Sequence, residues 1–395
     1  MRHLEKGQPI DGRSLLEGVS LPAAVVFDTA LGNNIAWMQR FADDHGAQLA
    51  PHGKTTMAPA LFHRQIEAGA WGITLATAVQ CAAAFEHGVT RLLMANQLVG
   101  PPNMAIVAGL IERGADYYCL VDSTANVRAL NDHFARRDLK LQVLIELGVP
   151  GGRCGVRNDA ELDVLVGAIA TAPAVALCGI EGYEGLIGGA QAVADIRAYG
   201  KQLVDCVRRL SSAGTFADRK PIITAAGSQW FDLIAEAFDQ ADLRDRCTPV
   251  LRPGCYVVQD HGSYSDAMAA VKARHPELQG SLEPALALFA HIQSLPEPGV
   301  AVVAMGKRDI SCDPDLPIPL QLHHPGEPAQ PLTGCSVRKV MDQHAMMTIP
   351  EHADIRIGDV VSFGASHPCL TFDKWRQVLR VDDDLHVLEV MPTFF

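Results

Sequence analysis

The stretch Leu49-Ala-Pro-His-Gly-Lys-Thr-Thr-Met-Ala-Pro59 decides how the rest of this 395-residue chain is read. Its apolar start predicts a short strand over 49–54 that carries Lys54 to its tip, flanked by His52, Thr55 and Thr56. An ammonium at the end of a buried strand is costly to desolvate, and burial lowers its pKa. A lysine so placed suits Schiff-base chemistry. Alone, it reads first as a side chain that snorkels to solvent, so its surroundings decide.

On either side of that stretch the text is regular. A strand over 21–28 precedes a helix over 29–45, with Leu31, Ile35, Met38 and Phe41 at helical spacing. Apolar runs at 49–54, 72–77, 91–96, 116–122, 141–147, 175–183, 221–227 and 248–257 then alternate with helix-like segments. Near-continuous apolar strands between helices predict a parallel sheet covered on its outer face. Eight such units predict an α/β fold, a (β/α)8 TIM-like barrel over 30–275, with its active site at the C-terminal ends of the strands. Lys54, Thr77, Asn96, Gly152-Arg153, Tyr183, Gly227-Ser228 and Arg252-Pro253-Gly254 fall at those ends. Beyond 275, short β runs near 286–292, 300–305, 355–363 and 385–390 lie between proline-rich loops. They predict a C-terminal all-β domain over 276–395 that also takes in residues 1–29 through the strand near Val25. His323-His324, in a proline-rich loop, is expected to be exposed.

Composition narrows the partners. With 33 Lys and Arg against 45 Asp and Glu, the net charge is −12, which argues against nucleic acid and for small molecules. No apolar run suits a bilayer span, and the first residues lack the apolar core of a signal peptide, so the expected location is cytoplasmic, away from membranes. The ten cysteines are scattered, mostly inside apolar strands, and read as small buried hydrophobes rather than a disulfide framework.

In this order, Lys54, Gly151-Gly-Arg-Cys-Gly155, the Gly227-Ser228 turn and Arg252-Pro253-Gly254 resemble the alanine racemase-like, fold type III pyridoxal phosphate enzymes. Within that group the chain resembles the D-serine dehydratase and D-threonine aldolase branch. Pro51-His52-Gly53-Lys54-Thr55, Glu181-Gly-Tyr-Glu-Gly185, Asp342-Gln-His344 and His367-Pro-Cys369 are similar to motifs of that branch. The resemblance implies pyridoxal 5'-phosphate on Lys54, which also serves as the Cα base, with His52 and Arg153 close to the cofactor. Either Tyr183 or Arg252 would face the pyridine ring. Gly227, Ser228, Gly254 and Cys255 are the phosphate candidates, with a helix expected from Gln229.

The same resemblance implies a metal on His367 and Cys369, zinc by its nitrogen and sulfur donors, with Mn2+ or another divalent ion as a substitute. Thr55 and His344 would then be substrate or outer-sphere groups. The implied reaction is a lyase reaction in D-amino acid metabolism: elimination of water from a D-β-hydroxy amino acid, D-serine to pyruvate and ammonia first. Retro-aldol cleavage of D-threonine or 3-hydroxy-D-aspartate is the alternative, and behind both stands an amino acid racemase. Glu146 and Glu181 are candidates to pair with Arg153 or to do acid or base work. A homodimer is expected by the same analogy.

Overall fold

The computed structural model describes residues 4–217, 220–241, 243 and 245–395; residues 1–3 of the expected 1–29 segment lie outside them. The chain divides into two compact units, one of residues 38–54 and 62–254, the other of 1–37, 55–61 and 255–395.

The first unit is the parallel sheet that the strand-helix alternation predicts. Its eight strands are β1 (Gln48–Leu49), β2 (Ile73–Leu75), β3 (Arg91–Gln97), β4 (Asp116–Val121), β5 (Leu141–Leu147), β6 (Val175–Gly182), β7 (Ile222–Ala225) and β8 (Thr248–Leu251). They pair in the order β1-β8-β7-β6-β5-β4-β3-β2. The ends meet: Trp71 N donates to Leu49 O at 2.7 Å, Thr74 N to Pro51 O at 2.9 Å, and His52 and Thr74 form a parallel bridge. Ala50, Leu93, Tyr118, Leu120, Leu144, Ala176, Ile222 and Val250 form one buried apolar cluster, the packed interior expected of such a barrel.

The strand expected over 49–54 is shorter than the pattern suggested. Pro51 has no N–H to give to the ladder, so regular pairing stops at Leu49 and Lys54 sits in a 3-10 turn, Gly53–Thr55. Gly53 is required there, because a Cβ would lie 2.7 Å from the Phe62 ring and 2.8 Å from Ile73.

The second unit is built on a ten-stranded sheet. The N-terminal strand Ala23–Phe27 lies inside it, antiparallel to Leu286–Glu297 with Val25 opposite Ala287, and parallel to Gln377–Val381 with Val25 opposite Leu379. Val25, Ala287, Phe289, Val360, Leu379 and Val381 form its core. His323-His324 is not exposed as expected: His323 ends the strand Ile318–His323, paired with Val360, and the two residues are 5% and 2% exposed. His324 Nδ1 lies 2.8 Å from the buried Asp359 carboxylate, which satisfies a ring nitrogen that the interior would otherwise leave unpaired. No helix among the described residues is long and apolar enough to cross a membrane.

Candidate active site

Side chains alternate across a strand, so a residue two positions beyond an inward one points inward again. From the buried cluster members Ala50, Leu144, Ile222 and Val250, that step leads to His52, Glu146, Thr224 and Arg252. Each strand thus changes from apolar to polar as it reaches its C-terminal end. The cavity over these ends is lined by His52, Lys54, Arg153, Tyr183, Gly227 and Arg252, together with Glu146 and Glu181.

Lys54 is exposed there rather than held in a dry pocket. Arg252, 5% exposed, donates through Nε to Thr224 Oγ1 at 3.0 Å and through Nη2 to Gly182 O at 2.9 Å and to the Glu181 carboxylate. Burial pushes Glu181 up to about 8, although the Arg252 charge pulls it back. Glu146 is also raised by burial and accepts from Gln97 Nε2 at 2.6 Å. The expected pairing of Glu146 and Glu181 with Arg153 is therefore not what forms. Both carboxylates lie on inward strand positions nearer to other donors, and the Arg153 guanidinium instead stacks on the Tyr183 ring, 4.4 Å from its centroid.

His52 is held well below the usual imidazole range, first by burial and then by the charges of Lys54, Arg252 and Arg153, so its ring is neutral. His52 Nδ1 and Glu181 Oε2 are buried with no hydrogen-bond partner among the described residues. Unmet polar atoms in a cavity wall are costly unless something else is bound there, so these residues fit a polar cofactor.

The turns expected to hold phosphate come together. Ser228 Oγ accepts from Gly254 N at 3.0 Å. Ala226 N and Gly227 N converge on the buried Glu184 carboxylate at 3.1 and 2.5 Å. These two backbone donors are thus taken up by a carboxylate of the chain itself. The helix after this turn starts at Phe231, two residues beyond the expected Gln229. Glu184 lies in the quoted Glu-Gly-Tyr-Glu-Gly motif, yet its spacing carries no sign of this role.

The loop of residues 151–155 is held by a residue the sequence did not single out. Arg157 donates to the carbonyls of Gly152, Arg153, Cys154 and Gly155 at 3.3, 3.0, 2.5 and 2.7 Å. Gly155 takes φ +94°, a region that favours glycine, and its N–H donates to Asp122 at 3.0 Å.

In the second unit, Cys255, His367 and Cys369 place their donor atoms within 4.8 Å of one another. The Cys255 thiol, expected beside a phosphate, lies instead 3.5 Å from the Cys369 sulfur. The buried Thr55 hydroxyl is 3.4 Å from Cys369 Sγ and 3.8 Å from Cys255 Sγ. Cys369 opens the short helix Cys369–Phe372. Its thiol is held well below the ordinary range by the Cys255 hydrogen bond, then by His367 and Thr55. His367 is raised by Cys369 in turn. His344 is exposed on the turn after the strand Ser336–Val340, its carbonyl accepting from Met341 N; the three-donor group does not include it. The soft sulfur and nitrogen set fits a zinc-like ion.

Comparison with known proteins agrees with this architecture. Residues 28–242 match the family described as "Alanine racemase, N-terminal domain", and residues 285–381 match "Putative serine dehydratase domain". A D-threonine aldolase of Arthrobacter sp. is 24% identical over 359 residues, 91% of this chain and 88% of that protein. A D-threo-3-hydroxyaspartate dehydratase of Delftia sp. (strain HT23) is 34% identical over 138 residues, 35% of this chain and 36% of that one. The crystal structure of D-threonine aldolase from Filomicrobium marinum superposes with a TM-score of 0.82 at 23% identity, covering 98% of both chains.

Proposed function

Because the chain belongs to the alanine racemase N-terminal domain family, we propose that it is a pyridoxal phosphate-dependent lyase that cleaves D-configured 3-hydroxy amino acids between Cα and Cβ. The observation that carries the reading is Lys54 at the rim of a cavity whose walls hold the unmet His52 Nδ1 and Glu181 Oε2. Similarity to a D-threonine aldolase over 91% of the chain favours cleavage over elimination.

Lys54 is the residue that would carry the cofactor, with the Gly227 and Ser228 turn on its phosphate. Once bound, pyridoxal phosphate withdraws electron density from the substrate Cα and weakens the bonds around it. The chain's own groups do the rest. Lys54 Nζ takes or returns a proton at Cα. His52, neutral because of its burial and then its cationic neighbours, is available as a proton acceptor through Nδ1. Arg252 keeps its orientation because three acceptors hold it.

His367 and Cys369 are the residues that would hold a divalent ion, a Lewis acid for the substrate's 3-oxygen. A homodimer belongs to the same proposal, and a monomeric mass in solution would remove it.

Elimination of water to a 2-oxo acid and ammonia is the second reading. It is favoured by the stretch of 34% identity to a dehydratase. The test is product analysis with D-threonine, D-serine and D-threo-3-hydroxyaspartate, with and without added zinc. Glycine and acetaldehyde from D-threonine are expected. A 2-oxo acid and ammonia alone would replace cleavage by elimination. Alanine racemisation that survives complete metal removal would reject both.

A further inference from the structure

Two of the donors discussed above, an imidazole and one thiol, follow from the motif His367-Pro-Cys369; the third comes from a distant part of the chain. We propose that Cys255 is a third protein ligand, giving this chain a metal centre of two sulfurs and one nitrogen that takes zinc and leaves one position open for an oxygen of the substrate. The proposal rests on the reading that His367 and Cys369 bind a divalent ion.

The separations suit a small cation. A zinc–sulfur distance of about 2.3 Å and a tetrahedral angle place two coordinating sulfurs about 3.8 Å apart. Cys255 Sγ and Cys369 Sγ are 3.5 Å apart, near that separation and far beyond the roughly 2.05 Å of a disulfide. The His367 nitrogen falls within the same 4.8 Å group. Thr55 reaches both sulfurs through one hydroxyl, at 3.4 and 3.8 Å. Such an outer-sphere hydrogen bond orients a thiolate without competing for the metal.

Other buried thiols in the molecule differ. Cys81, Cys119 and Cys178 are fully enclosed, in a helix and two barrel strands, and belong to no metal-capable group among the described residues. They behave as small hydrophobes.

The donor count has chemical consequences. On binding, each coordinating thiol gives its proton to solvent, and two thiolates offset the charge of one divalent ion. An imidazole with two thiolates selects zinc over magnesium or manganese, which prefer oxygen. Three protein ligands and one open position are the pattern of a catalytic zinc site rather than a structural one. The substrate then binds the metal through one oxygen, not as a chelate.

Zinc-edge X-ray absorption on the cofactor-loaded, zinc-loaded protein counts the sulfurs directly, without reference to turnover. Two sulfur scatterers per zinc at about 2.3 Å are expected in the wild type, and one in Cys255→Ser, which should also lose zinc to a competing chelator at least tenfold more readily. One sulfur per zinc in the wild type would overturn the third-ligand assignment and leave the His367–Cys369 site standing. Failure to bind stoichiometric zinc would overturn the metal reading itself, and this assignment with it. The wild-type count decides the matter even if the serine variant folds poorly.

Discussion

At the mouth of the barrel, charge is met with charge and with backbone. Arg252 donates to Thr224, Gly182 and Glu181, and Glu184 accepts from two backbone N–H groups. The group on the other unit is made instead of two sulfurs and an imidazole, with a threonine hydroxyl beside them. Hard ions buried together stay costly unless every partner is present. Soft donors can wait as neutral or proton-sharing groups and exchange those protons for a metal. The contrast teaches that the two regions should fail in different ways when one group is removed.

The largest separation is expected from Lys54→Ala. Turnover should fall by roughly a thousandfold or more and the absorbance of protein-bound cofactor should disappear, while zinc content stays unchanged by elemental analysis. Joint loss of cofactor and zinc would break the contrast. Next comes Arg252→Met, which leaves Glu181, 2% exposed, buried without its cation. A loss of about 2–3 kcal/mol is expected in urea unfolding, the cost of unmet buried hydrogen-bonding groups, since Glu181, pushed up to about 8, can hold a proton in place of its cation; adding Glu181→Met should recover much of it. A single variant as stable as the wild type would show that the Arg252 contacts do not hold this corner of the barrel.

A pH test sharpens the picture of the second unit. Burial holds His261 down to about 4, against an ordinary 6.5, and its ring packs where Gly364 leaves space, since a Cβ there would lie 2.4 Å from it. Between those two values the unfolded chain holds a proton that the native state lacks. This contribution is therefore complete above about pH 6.5 and is lost on acidification, by about 1.4 kcal/mol per unit. His261→Leu should lose about 2 kcal/mol less than the wild type between pH 6.5 and 5 by urea midpoints. His52, also depressed, keeps the acid limb from flattening fully. Equal acid limbs in the two proteins would show that His261 is not the group responsible.

The smallest effect is expected from Asn158→Ala. Asn158 caps the helix Asp159–Ala170 by accepting from Glu161 N at 2.9 Å, and Glu161 accepts from Arg157 N at 2.7 Å. About 1 kcal/mol should be lost in thermal unfolding, with cofactor binding intact. A change in cofactor affinity would tie the cap to the cavity.

The barrel was legible because eight apolar runs repeat with helical text between them, and β5 ends where its pattern ends, Leu141–Leu147. The rim was legible because polar and glycine residues, Arg252 among them, fall at the C-terminal ends of the predicted strands. Lys54 could be placed at a strand end but not on its 3-10 turn, because Pro51 acts through a missing hydrogen bond rather than through hydrophobicity. His323-His324 looked exposed because prolines surround it, while its burial is set by pairing with Val360, thirty-odd residues later. The direction of the Cys255 thiol was hidden for a similar reason: one residue after Arg-Pro-Gly, nothing local tells which way a small side chain turns. Its partner Cys369 is 114 residues away.

Arg157 fastens the loop of residues 151–155 through carbonyl oxygens, which every amino acid carries. A clasp of that kind is indifferent to what the clasped residues display. Gly152, whose Cβ would meet Val149 at 2.7 Å, and Gly155 at positive φ are fixed by shape, but at positions 153 and 154, both at the cavity, the clasp makes no demand on the side chain. Evolution, or an engineer seeking a different substrate, can rewrite those two letters while the backbone beneath them keeps its course.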